Sequence, residues 1–170
     1  YYFINLYKQI NSIMKKVLSI ICISIMFLAC GTSKTVRDSK KVIKGNWSLT
    51  SIAYSEAGTY NVMLLNDASK ACFEGSTWQF IPNNNTGVYT LNGIGCPTEE
   101  RNFVFTIQEV NETTGLYDFL LKPTNEKNKS ETNQGFRLNL ASISDTSMQW
   151  KQTLSVEGNP FTITMNFTKL

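Results

Sequence analysis

From Asn46 onward, apolar and polar residues alternate with a period of two, and clusters of turn-forming residues break the alternation every eight to fifteen positions. Short strands at that spacing predict an all-β domain, with antiparallel strands closed into a barrel or packed as a sandwich. Strands are expected over 46–54, 59–65, 76–81, 87–92, 102–110, 116–122, 135–143, 147–156 and 160–168. Asn66-Asp67-Ala68-Ser69-Lys70 reads as a turn or a single helical turn. After residue 29, no run of ten or more residues carries a helical period.

Three hairpins can be registered from the pattern. A two-residue loop at Gly158-Asn159 would set Val156 against Phe161, Leu154 against Ile163, Gln152 against Met165 and Trp150 against Phe167. A looser turn over Asn83–Thr86 would pair Phe80 with Tyr89 and Trp78 with Leu91. A five-residue turn at 111–115 would pair Ile107 with Phe119 and Phe105 with Leu121. The shared apolar face then carries Trp78, Phe80, Tyr89, Phe105, Phe119, Trp150 and Met165, with Gln152 among them. Two outcomes follow for such an interior. Either it is a mostly apolar pocket in which Gln152 and Tyr89 orient a ligand, or the rings fill it and Gln152 meets water near an open rim.

The first part of the chain follows another pattern. Met14-Lys15-Lys16 precedes the apolar stretch VLSIICISIMFLA and then Cys30-Gly31. A charged start, a short apolar run and small residues before a cut are the parts of a secretory signal, here over 14–29. Such a run is about 20 Å long as a helix, short of the roughly 30 Å of a hydrocarbon core. Residues 1–13 are read as upstream sequence joined to the frame. Residues 30–44, polar and without apolar period, read as a flexible tether reaching at most about 40 Å.

Phe27-Leu28-Ala29-Cys30 resembles the lipobox of bacterial lipoproteins. The resemblance implies cleavage before Cys30 and acylation of that residue, palmitate included, giving a membrane anchor. No acidic run of the kind that resembles a surface-export signal follows Cys30, which favours the outer membrane facing the periplasm.

Composition narrows the chemistry. The 170 residues, 42% of them apolar and 17% charged, suit one folded domain. There is no histidine, so no Ser-His-Asp or Cys-His nucleophile and no His-ligated zinc can be built. An acid and base could be drawn only from Glu99-Glu100, Glu109 or Asp118, and adjacent glutamates on a loop usually just face water, so no enzyme is expected and no cofactor is implied. The net charge of +3 hides an asymmetry. Residues 30–44 hold five basic side chains and one acidic, whereas 45–170 hold eight basic and twelve acidic with no basic stripe, which argues against nucleic acid. Once the signal is removed and Cys30 acylated, Cys72 and Cys96 remain. In an oxidising compartment they are expected to pair, the alternative being two buried thiols.

Gly45-Asn46-Trp47, opening the first strand, resembles the Gly-x-Trp signature of lipocalins. The aromatic-rich pattern with Cys72 and Cys96 also looks like short lipocalin-like lipoproteins of bacteria related to Bacteroides and Flavobacterium. The resemblance implies an up-and-down barrel of eight to nine strands, with Trp47 plugging the closed end. It also implies a covering cation, for which Lys169 is the stand-in for the family's arginine. The function so implied is the binding of a small hydrophobic or amphipathic molecule. A second expectation is a protein-interaction module resembling lysozyme inhibitors or accessory subunits of envelope complexes, using the loops 92–101 and 123–134.

Overall fold

The computed structural model describes residues 34–111 and 116–170 of the chain. The signal over 14–29, the stretch 1–13 and Cys30 lie outside them. Helix α1 (Lys34–Ile43) comes first, then β1 (Gly45–Tyr54), β2 (Met63–Leu64), β3 (Ala68–Ser69), the short helix α2 (Lys70–Phe73), β4 (Thr77–Ile81) and β5 (Thr86–Thr90). The remaining strands are β6 (Arg101–Asn111), β7 (Leu116–Thr124), β8 (Phe136–Ile143), β9 (Ser147–Val156) and β10 (Asn159–Lys169).

Eight strands close into an antiparallel barrel in the order β1-β10-β9-β8-β7-β6-β5-β4, with β1 pairing β4 to complete the ring. All sequential neighbours from β4 to β10 are hairpin-connected, the up-and-down arrangement expected. The strand drawn over 59–65 is not formed as such. Only Met63–Leu64 is extended, paired with Ala68–Ser69 outside the barrel. Closure abolishes open edges around most of the wall, which suits a sheet with one polar and one apolar face.

The β6–β7 register is the one expected, with Phe105 opposite Leu121 and Ile107 opposite Phe119. The other two hairpins are corrected by two residues. Trp78 faces Tyr89 and Phe80 faces Gly87. Leu154 faces Phe161, Gln152 faces Ile163 and Trp150 faces Met165. The cause is turn chemistry. Glu157 (φ 53°) and Gly158 (φ 84°) take the two left-handed positions of the β9–β10 loop, so Asn159 is already in the strand. At β4–β5 the loop is Pro82–Asn85, with Asn85 left-handed at φ 53°. A shift of two leaves every side chain on its predicted face.

Bulges adjust the wall. One extra residue in β1 between Leu49 and Ser51 passes the inward positions from Trp47 and Leu49 to Ile52. Beyond this point β1 leaves β4, and the Glu74 carboxylate accepts from the Ile52 N–H at 2.8 Å in its place.

The tether reading of 30–44 is corrected over its last part, because Lys34–Ile43 is an amphipathic helix. Val36, Ser39 and Ile43 are three and four residues apart, line up on one face and are buried, while lysines dominate the other. The helix packs on β6 and β8 and closes one end of the barrel. Its last carbonyls are satisfied by the barrel: the Trp47 indole N–H donates to Ile43 O at 2.8 Å and the Lys169 ammonium to Val42 O at 2.7 Å.

Candidate functional site

The predicted interior residues come together, as a packed cluster. Trp78, Phe80, Tyr89, Phe105, Phe119, Trp150 and Met165 are all 4% exposed or less. Trp78 stacks on Tyr89 at 4.4 Å and Phe119 on Trp150 at 4.5 Å, while Phe80 stands edge-on to Phe105 and Phe119. Such pairs add about 0.5–1.5 kcal/mol each beyond the area they bury. Phe73 and Phe103, not among the expected residues, complete the cluster. Phe73 enters from α2 and meets Trp78 and Tyr89 at 6.3 and 5.6 Å. Phe103 lies 5.6 Å from both Trp78 and Phe80. Opposite its ring, Gly87 leaves no room for a Cβ, which would stand 2.3 Å from Phe103 Cζ.

Gln152 is only half-buried, whereas Leu154 and Val156 beyond it on the same face are 37% and 46% exposed. This face of β9 therefore runs out of the core towards the open end.

At the other end, Trp47 is fully buried beneath α1, and Lys169 lies over its ring with Nζ 5.2 Å from the centroid. Gly45 (φ 113°) starts β1 directly after the helix, in a conformation a side chain rarely adopts. Gly45 and Trp47 thus open β1 at the closed end, and Lys169 covers the Trp47 ring from the end of β10.

The end opposite α1 is the mouth, where a cleft of about 650 Å³ opens between the 65–67 turn, the start of β6 and the 123–134 segment. Its centre is an ionic cluster. Asp67 Oδ2 accepts from Arg101 Nε at 2.5 Å and from the Tyr89 hydroxyl at 2.7 Å. Arg101 also donates through Nη1 to Glu99 O at 2.5 Å. Both members of the ion pair are about four-fifths shielded (side chains 19% and 24% exposed), so the attraction is less screened than at an open surface. Burial first, and the hydrogen bond to Asp67 second, push the Tyr89 hydroxyl far above its ordinary value near 10, so it is a fixed neutral donor.

Asp67 reaches this position because the turn before it is tight. Leu65 (φ 51°) and Asn66 (φ 54°) are both left-handed, and the Asp67 N–H closes the turn on Leu64 O at 2.9 Å. Leu65 in that region carries local strain of about 1–2 kcal/mol, the kind that collects at functional sites. The Cys72–Cys96 disulfide, formed as expected with Cα atoms 5.6 Å apart, ties the same segment to the loop that leads to Arg101. A disulfide and an ion pair, each joining the 67–72 and 96–101 stretches, hold one wall of the cleft.

Sequence reasoning missed this site because Asp67, Arg101 and Thr124 share no spacing. Topology alone assembles them. The one visible signal was the pair of loops, 92–101 and 123–134, named for an interaction module. Thr124 lines the cleft, and its Oγ1 is buried without a hydrogen-bond partner. Trp150 Nε1 and the Tyr54 hydroxyl share that condition elsewhere among the described residues. The described residues include no group of three or more His, Cys, Asp or Glu able to hold a metal, and no helix long and apolar enough to cross a membrane. Compared with models of known protein families and with curated proteins, the chain matches none.

Proposed function

We propose that this chain is a lipid-anchored protein of the bacterial cell envelope, held through Cys30 at the outer membrane and facing the periplasm, whose barrel binds its ligand at the mouth. The observation that carries the reading is the contrast between a ring-packed interior and a polar cleft of about 650 Å³ at the open end. Along the chain, Cys30 stands four residues before α1, the element that closes the barrel. An anchor there holds the closed end towards the bilayer and turns the cleft away from it.

Labelled palmitate taken up by the wild type and not by Cys30→Ala supports the anchor, and wild type without label overturns it. Native mass spectrometry of detergent-free protein tests the mouth. A co-purified small molecule or protein that is lost in Asn102→Ala or Gln134→Ala places binding in the cleft; a bound species that survives both substitutions places it elsewhere.

A second reading, the small hydrophobic or amphipathic ligand inside the barrel, is favoured by Trp150 Nε1, a buried donor without a partner. Leaving such a group unpaired costs roughly 1–3 kcal/mol, which an interior acceptor would relieve. Binding of a fluorescent fatty acid that quenches Trp150 tests that reading.

A further inference from the structure

We infer that the mouth cleft takes a neutral, polyhydroxylated ligand, a saccharide of one or two rings. The inference rests on the mouth-binding reading above and names its ligand class. The charges come first. Arg101 is the cation best placed to grip an anion, but its charge is matched by Asp67, which pairs with its Nε, and its Nη1 also donates to Glu99 O. The ionic side chains left on the lining, Glu100, Glu126 and Lys127, are of mixed sign and sum to −1, so no field of one sign selects phosphate or carboxylate.

The uncharged lining then decides the class. Asn66, Asn102 and Gln134 border the cleft, and each amide offers two donors and one acceptor group. A hydrocarbon chain placed among them would leave those groups unpaired, whereas hydroxyls, donor and acceptor at once, answer both. Thr124 Oγ1 is a separate sign of a missing partner. A buried hydroxyl in a folded protein nearly always has one, and this one belongs to a residue that lines the cleft. Pro123 adds an apolar patch against which the C–H face of a sugar ring can lie. The volume falls within the roughly 300–1,000 Å³ typical of small-molecule sites. With the wall held by the disulfide and the ion pair, little ordering is left to the moment of binding.

The test uses the full chain and four probes: maltose, N,N′-diacetylchitobiose, oleate and inorganic phosphate, titrated by calorimetry and by ligand-observed NMR. A saccharide that binds the wild type and binds Thr124→Val about three- to tenfold more weakly, the worth of one neutral hydrogen bond, supports the inference. Thr124→Val removes an unpaired hydroxyl while keeping the shape, so its thermal midpoint should hold or rise, which separates ligand contact from misfolding. Gln134→Ala, on an exposed loop, should weaken the same saccharide. Saccharide affinity unchanged in both variants overturns the inference, as does binding of phosphate or oleate alone, or of no probe. If no saccharide binds but a co-purified protein is lost in Gln134→Ala, the ligand class fails while the mouth reading stands. If oleate alone binds and quenches Trp150, both fail together.

Discussion

The two ends of this barrel are built from the same alternating strands and end in opposite states. On one face of β9, Met148 and Trp150 are 2% and 0% exposed, while Leu154 and Val156 are 37% and 46% exposed. The change follows the wall. β9 is paired with β8 only as far as Lys151, and the rest of the strand leans on β10 alone. At the closed end, α1 covers the rings and the barrel's own side chains satisfy its carbonyls. At the mouth, the single turn of α2, loops, an ion pair and a disulfide stand in place of a long helix. Alternation tells which face a residue occupies. How deep it lies depends on what covers that level of the barrel.

The largest effect should come from the level shared by both ends. Trp150→Ala removes a ring in contact with Phe119, Phe167 and Trp78, and is expected to cost about 3–5 kcal/mol in denaturant unfolding. Gly87→Ala tests the same level by addition. The new Cβ would meet the Phe103 ring at 2.3 Å and Gln79 O at 2.6 Å, backbone that cannot step aside. A loss of about 1–3 kcal/mol or more is expected, and a stable Gly87→Ala protein would mean that the interior is looser than its ring contacts imply.

The mouth's covalent clasp comes next. The disulfide joins residues 24 apart in sequence, and closing a loop of that length is worth about 3 kcal/mol in the chain-entropy model. The Cys72→Ala, Cys96→Ala double variant should lose close to that amount, and in the wild type Cys72 and Cys96 should resist alkylation until reduced. If the closed end is the more autonomous half, amide exchange in β1 near Trp47 should change less in this variant than exchange around Asp67.

These cases also mark what could be read from the residues alone. Period-two alternation was enough for the all-β class, the inward ring set, the β6–β7 register and, with the compartment argument, the disulfide, while the choice of barrel over sandwich came from the family resemblance. Two hairpins slipped by two positions because a left-handed Glu157 and a left-handed Asn85 are decided by loop geometry, not by composition. Helix α1 escaped notice because only Val36, Ser39 and Ile43 mark its buried face, one of them polar, in a stretch dominated by lysine. Of the cleft, only its two bordering loops could be read. Its members lie on a turn, a strand start and a strand end that meet only once the barrel is closed.

Smaller effects are expected at the ionic cluster. Tyr89→Phe removes one charge-assisted hydrogen bond to Asp67 and keeps the ring, so a loss of about 1.5–3 kcal/mol is expected below pH 10. The pH dependence has a definite sign. The folded protein holds the Tyr89 proton more tightly than the unfolded chain, so stability is intact below the ordinary value near 10 and falls as pH rises above it. Urea midpoints between pH 9 and 11 should decline more steeply for the wild type than for Tyr89→Phe. Equal slopes would mean that Tyr89 is more open to water than the packed cluster allows.

At the closed end, Lys169→Met should cost about 1–2 kcal/mol, the sum of a cation–π contact with Trp47 and a hydrogen bond to Val42 O. Lys169→Arg should recover most of it, since a guanidinium can make both contacts. A Met variant as stable as the wild type would show that Lys169 merely lies near Trp47 and does not hold the closed end.

The smallest effect is expected at the mouth strand, where it decides the comparison. Val156 faces the same way as Trp150, six residues back on β9, so a reading from the pattern alone makes it core. Nearly half its surface is open to water, and no β8 partner lies beside it. Burial is worth about 25 cal/mol per Å² removed from water, so a side chain left this exposed contributes little. Val156→Thr keeps the branched shape and the strand propensity while adding a hydroxyl that water can satisfy. The unfolding free energy should therefore change by less than about 0.5 kcal/mol. A threonine at the buried position Ile163 of the neighbouring strand, 1% exposed, removes apolar volume and buries a hydroxyl, and should cost several times more. If Val156→Thr costs as much as Ile163→Thr, something covers the mouth, and the two ends differ less than their exposure indicates.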